Sequence, residues 1–128
     1  MNNLPSSCKV VVIGGGVAGC STAYHLAKFG WKDTVLLERD VLTSGTTWHA
    51  AGLIGQLGSS ATITKLRNYS LNLYKQLESE TGLSTGLKQN GSLTVATTSD
   101  RLEELKRQVT FAQRFEIEAK EVSKDKIK

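Results

Sequence analysis

Lys9-Val10-Val11-Val12-Ile13-Gly14-Gly15-Gly16-Val17-Ala18-Gly19 is the stretch whose reading decides the fold. A β-branched run ends on three glycines, the profile of a buried parallel strand followed by an abrupt turn. From Val17 the pattern is helical: Ala18, Ala23, Leu26 and Ala27 recur on one side, and Gly30 stands where a helix would stop. Thr34-Val35-Leu36-Leu37-Glu38 is a second apolar strand that ends on a carboxylate. Strand, glycine turn, helix and strand fill about 30 residues, the length of one βαβ unit. The expected fold class is α/β, opening on a Rossmann-like unit.

Gly14-x-Gly16-x-x-Gly19 is a weak pattern in isolation, and a glycine-rich turn that binds nothing is the alternative. Its setting strengthens it, because it follows a strand, opens a helix and is answered by Glu38 at the end of the next strand. Gly14 permits the tight turn, Gly16 lets backbone approach a pyrophosphate, and Gly19 lets helix and strand pack closely. The N–H groups around Val17 and Ala18, at the positive end of the helix dipole, would meet the phosphates. Glu38 would accept hydrogen bonds from ribose hydroxyls. The pattern points to a dinucleotide and leaves NAD and FAD open; Glu38 disfavours the 2′-phosphate of NADP.

The segment Leu42-Thr43-Ser44-Gly45-Thr46-Thr47-Trp48-His49-Ala50-Ala51-Gly52-Leu53 separates those two. A nicotinamide-binding domain normally continues with another βαβ unit after its carboxylate. Here a long loop of small and hydroxyl residues follows, of the kind that brings backbone N–H groups to phosphates and a flavin ring. Long loops in compact domains tend to be functional. Further on, an amphipathic helix is expected over about 61–80, with Ile63, Leu66, Leu73, Tyr74 and Leu77 on one face. Ser59 or Ser60 would cap it and Gly82 would end it. Asn90-Gly91 between Leu87–Gln89 and Ser92–Ala96 predicts a β-hairpin. Asp100 and Glu103 suggest a capping box for a helix to about Phe115, 116–122 a further strand, and Ser123 the cap of a last helix.

Composition narrows the class. The chain has 128 residues, of which 39% are hydrophobic and 22% charged, and nine of its 12 glycines fall between Gly14 and Gly58. The net charge of +4 is spread thinly, with no basic stripe interleaved with aromatics, so nucleic acid is not an expected partner. Cys8 and Cys20 match no metal or CxxC spacing and read as reduced thiols. No secretory signal, transit peptide or membrane-spanning run is visible, so the expectation is a soluble, cytoplasmic protein, or one of the mitochondrial matrix if it is a eukaryotic relative.

With these residues in view, the chain resembles the dimethylglycine dehydrogenase and sarcosine dehydrogenase group of the D-amino-acid-oxidase-like flavoproteins. The matching stretches are Val11 to Gly16, Tyr24-His25-Leu26-Ala27, Val35-Leu36-Leu37-Glu38-Arg39 and Leu42 to Leu53, with weaker similarity at Leu77 to Gly82 and Gln89-Asn90-Gly91. Thr47-Trp48-His49-Ala50-Ala51-Gly52 is the most specific part. The resemblance implies a glutathione-reductase/D-amino-acid-oxidase-type FAD fold. Residues 8–58 would form the βαβ unit and flavin loop, 59–128 would lead through helix, hairpin and helix into a substrate domain, and the whole would be the N-terminal part of a longer domain.

The same resemblance implies FAD attached covalently to His49 through the methyl group of the flavin's benzenoid ring, with a raised flavin potential. Neutral imidazole is a suitable nucleophile near neutral pH. It further implies pyrophosphate contacts at Val17 and Ala18, ribose and adenine contacts at Glu38 and Arg39, and phosphate or ring contacts by Ser44, Thr46 and Thr47 within a loop from Gly45 to Leu53. Trp48 reads as packing beside the flavin, and His25 as a helix residue without a role. The implied reaction is oxidation of an N-methyl amine such as sarcosine or dimethylglycine. Electrons would pass on to electron-transfer flavoprotein or oxygen, and tetrahydrofolate would capture the carbon in the full-length protein. No catalytic residue can be named. Two rivals are a non-catalytic relative of the pyruvate dehydrogenase phosphatase regulatory subunit type and a non-covalent FAD oxidase of amino acids or glycerol phosphate. His49 favours the amine enzyme.

Overall fold

The computed structural model describes residues 4–126. Strand β1 (Val10–Ile13) and strand β2 (Thr34–Leu37) pair in parallel, in the register Val10↔Thr34 to Ile13↔Leu37. Helix α1 (Val17–Lys28) joins them, completing the expected βαβ unit. Each strand covers its apolar run and leaves out the charged residue at one end of the expected stretch, Lys9 before β1 and Glu38 after β2. Lys9 gives its N–H to the Asp33 carboxylate at 3.1 Å, and Glu38 lies just past the end of β2.

α1 lies against the sheet on the face to which Val12 points, and Val12 is only 8% exposed. The contact is close because residue 19 has no side chain. A Cβ there would fall inside the van der Waals shell of the Gly14 carbonyl oxygen and 3.5 Å from Val12 Cγ1. Val11 and Ile13 point the other way and are exposed, Ile13 to 86%, so the strand buried on both faces that the apolar run suggests is buried on one. The single crossover helix covers one face of the pair, and none of the described residues of this unit buries the other.

α1 ends as Gly30 foretold. Gly30 takes φ +86° and gives its N–H to Ala27 O at 3.0 Å, while Trp31 N–H reaches Leu26 O at 2.9 Å. These two bonds satisfy carbonyls of the last turn in a Schellman closure, which needs a residue at ease with positive φ.

The chain divides into two compact units, Met1–Leu53 and Ile54–Lys128, with the divide inside the glycine- and hydroxyl-rich loop. In the second, helix α2 (Ala61–Thr81) is capped by Ser60, whose hydroxyl accepts Ile63 N–H at 3.3 Å, and closes at Gly82 with φ +71°. Its buried positions are Thr64 and Leu71, and Leu66 is 59% exposed, so the apolar face is displaced from the one the periodicity suggests. Thr64 is buried because its hydroxyl is fully used, donating to Ser60 O and accepting from Gly58 N–H.

Helix α3 (Ser99–Gln113) begins on a different cap from the one expected. Thr98 accepts Arg101 N–H at 3.2 Å, and no capping box forms, because Glu103 pairs instead with Lys106. The helix stops before Phe115, in a turn that puts Glu116 at φ +57° and buries Ile117. Neither the hairpin at 87–96 nor the strand at 116–122 forms. Gly91 does turn, with φ +75°, but Leu93 and Val95 stay more than half exposed. A lone two-stranded ribbon without a covering face is marginal. After Ser123 a single 3₁₀ turn, Lys124–Lys126, replaces the start of the expected last helix, and positions 127–128 lie outside the described residues.

Gly19→Ala should therefore cost at least about 3 kcal/mol, since backbone rather than a flexible side chain must move. Gly45→Ala, with φ −82° and open space around its Cβ, should stay within about 0.5 kcal/mol. Denaturant unfolding of the complete protein compares the two.

Candidate dinucleotide site

The site is built where β1 gives way to α1. Gly14 takes φ +103°, with nothing within 4 Å of where its Cβ would be. Gly16 starts α1 without a side-chain cap of its own, and no acidic residue sits in the first turn. The amides of Ala18 and Gly19 have no carbonyl within the helix to donate to. This end of the helix therefore carries its partial positive charge uncompensated by any carboxylate of its own, which suits an anionic ligand.

Glu38 is held on the turn by backbone amides. Its Oε2 accepts the buried Gly15 N–H at 2.6 Å, and its Oε1 accepts Arg39 N–H at 2.7 Å and Asp40 N–H at 3.2 Å. The hydrogen bond from Gly15, then that from Asp40, and then Arg39 through its amide and its charge, hold the carboxyl below the ordinary glutamate value. A carboxylate has about four acceptor positions, so one more hydroxyl can be received beside these three bonds. Arg39 contributes its amide here and is otherwise exposed.

Two points pin the loop to the turn. Thr43 gives its N–H to Gly15 O at 2.9 Å, and Thr47 Oγ1 accepts Val17 N–H at 2.9 Å. Thr43 pays for its position with φ +67°, a costly conformation for a β-branched residue and of the kind that concentrates at functional sites. Thr46–His49 form a 3₁₀ turn, with Trp48 N–H on Gly45 O and Ala50 N–H on Thr47 O. Ser44 bonds back only to Val41 O. Trp48, His49, Ala50, Ala51, Gly52 and Leu53 are exposed, and among the described residues no hydrogen bond ties them to the glycine turn.

The structure thus joins Gly14, Gly16, Val17, Ala18, Gly19, Glu38 and Thr47 in one place and leaves the rest of the loop beside it. Sequence reasoning missed Gly15, whose N–H and carbonyl both bind the site together. It also missed Cys20, whose Sγ lies 3.3 Å from the same carbonyl, one helical turn on. His25 is occupied with Ser21 O at 2.6 Å. In the second unit, a groove between residues 57–59 and Glu104–Phe111 holds none of the predicted residues. Among the described residues, no cluster of His, Cys, Asp or Glu suits a metal ion, and no helix is long and apolar enough to cross a membrane.

A parallel βαβ unit with this turn, an acid-free helix N-terminus and a carboxylate on the turn defines a dinucleotide-binding domain. The family model described as FAD dependent oxidoreductase (DAO) matches residues 9–128, and the chain belongs to that family. Human mitochondrial sarcosine dehydrogenase is 50% identical over 91% of this chain and 13% of its own length. Human mitochondrial dimethylglycine dehydrogenase is 50% identical over 80% of the chain and 12% of its own length. The mitochondrial pyruvate dehydrogenase phosphatase regulatory subunit of Mus musculus is 49% identical over 80% of the chain and 12% of its own length. Among solved structures, glycine oxidase from Bacillus cereus superposes with a TM-score of 0.65 at 28% identity, covering 84% of this chain and 31% of that one. The chain therefore spans only about an eighth of the curated relatives named here.

The lowered Glu38 carboxyl gives a signed pH dependence. Its contribution to stability is complete above the ordinary glutamate value of 4.5 and is lost as pH falls through the lower folded value. Unfolding midpoints between pH 7 and pH 3 should fall more steeply for the wild type than for Glu38→Gln. Glu38→Ala, which leaves Gly15 N–H without an acceptor, should lower the unfolding midpoint at pH 7 below that of Glu38→Gln.

Proposed function

We propose that the complete protein is an FAD-dependent oxidoreductase of small N-methylated amines such as sarcosine or dimethylglycine, with the cofactor attached to His49. The observation that carries this reading is the turn itself. Its acid-free helix N-terminus is bridged by Thr47, two residues before an exposed His49 in the same 3₁₀ turn. Membership of the FAD-dependent family supports the cofactor, and the dehydrogenases named above support the amine.

The residues present fit FAD. Gly14 and Gly16 leave backbone open, and the amides of Ala18 and Gly19 are open to a pyrophosphate, which Val17 would meet through Thr47, the acceptor of its N–H; Glu38 keeps an acceptor position for a ribose hydroxyl. Arg39, Ser44, Gly45, Thr46 and Thr47 border the adenosine and phosphate side. Trp48, His49, Ala50, Ala51, Gly52 and Leu53 form the flank towards the flavin ring. FAD, when bound, supplies a two-electron acceptor for the hydride of an N-methyl carbon, leaving an iminium for water or tetrahydrofolate. Electron-transfer flavoprotein or dioxygen then takes the electrons. The protein's share is positioning and electrostatics.

A second reading is kept because the regulatory subunit of a phosphatase is almost as similar as the dehydrogenases. One preparation separates them. The complete protein, purified and precipitated in acid, should keep its yellow colour in the pellet, and His49→Ala should release it to the supernatant. Reduction of the bound flavin by sarcosine or dimethylglycine supports the enzyme. A flavoprotein reduced by no N-methylated glycine overturns the substrate assignment.

A further inference from the structure

We infer that Thr47 is the positioning residue that aims His49 at the flavin, a role resting on the attachment proposed above. From Arg39 to Gly55 every residue is exposed except Thr47, which is half-buried. Its hydroxyl ties the loop to the first residue of the helix that opens the site, at 2.9 Å from Val17 N. The approach is shaped on both sides, since a Cβ on Gly16 would stand 3.0 Å from Thr47 Oγ1. The second glycine of the turn therefore makes room for this hydroxyl as well as for a phosphate.

The 3₁₀ turn makes Thr47 a short lever. His49 lies two residues on, about 4 Å along the turn axis, and the turn closes through Ala50 N–H on Thr47 O. Beyond it, among the described residues, no hydrogen bond ties the loop to the turn. Without the Thr47 hydroxyl the nearest remaining pin is Thr43 N–H on Gly15 O, on the far side of Ser44 and Gly45. The hydroxyl also keeps its own proton free, because it accepts from Val17, and can offer that proton to a phosphate oxygen.

Attachment joins an imidazole nitrogen of His49 to the ring-methyl carbon. One methyl C–H and the imidazole N–H are broken, and their two protons and two electrons reduce the isoalloxazine, which dioxygen re-oxidises with release of hydrogen peroxide. Such a step depends steeply on the distance between nitrogen and carbon, and a misplacement of about 1 Å costs roughly a hundredfold.

The test uses the complete protein as wild type, Thr47→Val and Thr47→Ser, with FAD added to flavin-free preparations in air. In-gel flavin fluorescence after denaturation follows the bond, and FAD titration of the same substitutions in a His49→Ala background follows non-covalent affinity. Thr47→Val should attach flavin roughly a hundredfold more slowly. Its non-covalent affinity should change far less than its attachment rate, and Thr47→Ser should restore the rate to within about threefold, since the two hydroxyls cap comparably. Attachment by Thr47→Val at the wild-type rate overturns the role of Thr47 alone. Equal losses of rate and affinity reduce Thr47 to a binding contact and overturn its aiming role. Wild-type protein that binds FAD but never attaches it overturns the His49 assignment, and this inference with it.

Discussion

Everything in the cofactor-binding unit depends on the Gly14 carbonyl lying where a side chain of residue 19 would begin. That one close approach lets α1 lie flush on β1, with Val12 sealed between them. It also sets the first amides of α1 at the end of the sheet, beside the carboxylate that closes β2. Once helix and strand are this close, the turn between them has no freedom left. Gly14 must take positive φ, and the Gly15 peptide is fixed in the gap.

The Gly15 peptide then organises the charge around it. Its N–H anchors Glu38, and its carbonyl receives Thr43 N–H with Cys20 Sγ nearby. The result is an asymmetric site. The Glu38 carboxylate is held on the turn, while the first turn of the helix beside it carries no acidic residue. A pyrophosphate and a ribose need opposite partners a few ångströms apart, and the proposed FAD site rests on this separation. The strained Thr43 is the cost of bringing the loop back to that peptide.

Most of this was legible in the sequence because each element had a local cause. The β-branched run, the glycine spacing, Gly30 as a helix stop and Glu38 after the second strand act within a few residues, and all four stand where they were expected. The second unit was less legible. Asn90-Gly91 does turn, yet 87–96 forms no ribbon, because a strand needs a partner and a covered face that local composition does not report. The expected capping box also failed, because the helix starts two residues earlier on Thr98, which leaves Asp100 inside the first turn and Glu103 paired with Lys106. At the site, Gly15, Cys20 and Thr43 were missed because their parts are played by backbone groups or by a weak donor, which residue identity does not disclose. The role proposed for His49 rests on family resemblance, and the geometry before it in the same turn adds Thr47.

The contacts that make the cofactor turn are also short in chain length. β1 and β2 pair across 24 residues, Glu38 reaches Gly15 across 23, and Thr47 reaches Val17 across 30. Loops of this size close quickly and at modest entropic cost. The binding turn can therefore assemble as a local event on the timescale of synthesis, ahead of any pairing that draws on more distant sequence. Ile13, exposed on the uncovered face, is then the apolar surface that this unit presents as soon as it forms, so early assembly and a need for shielding come together.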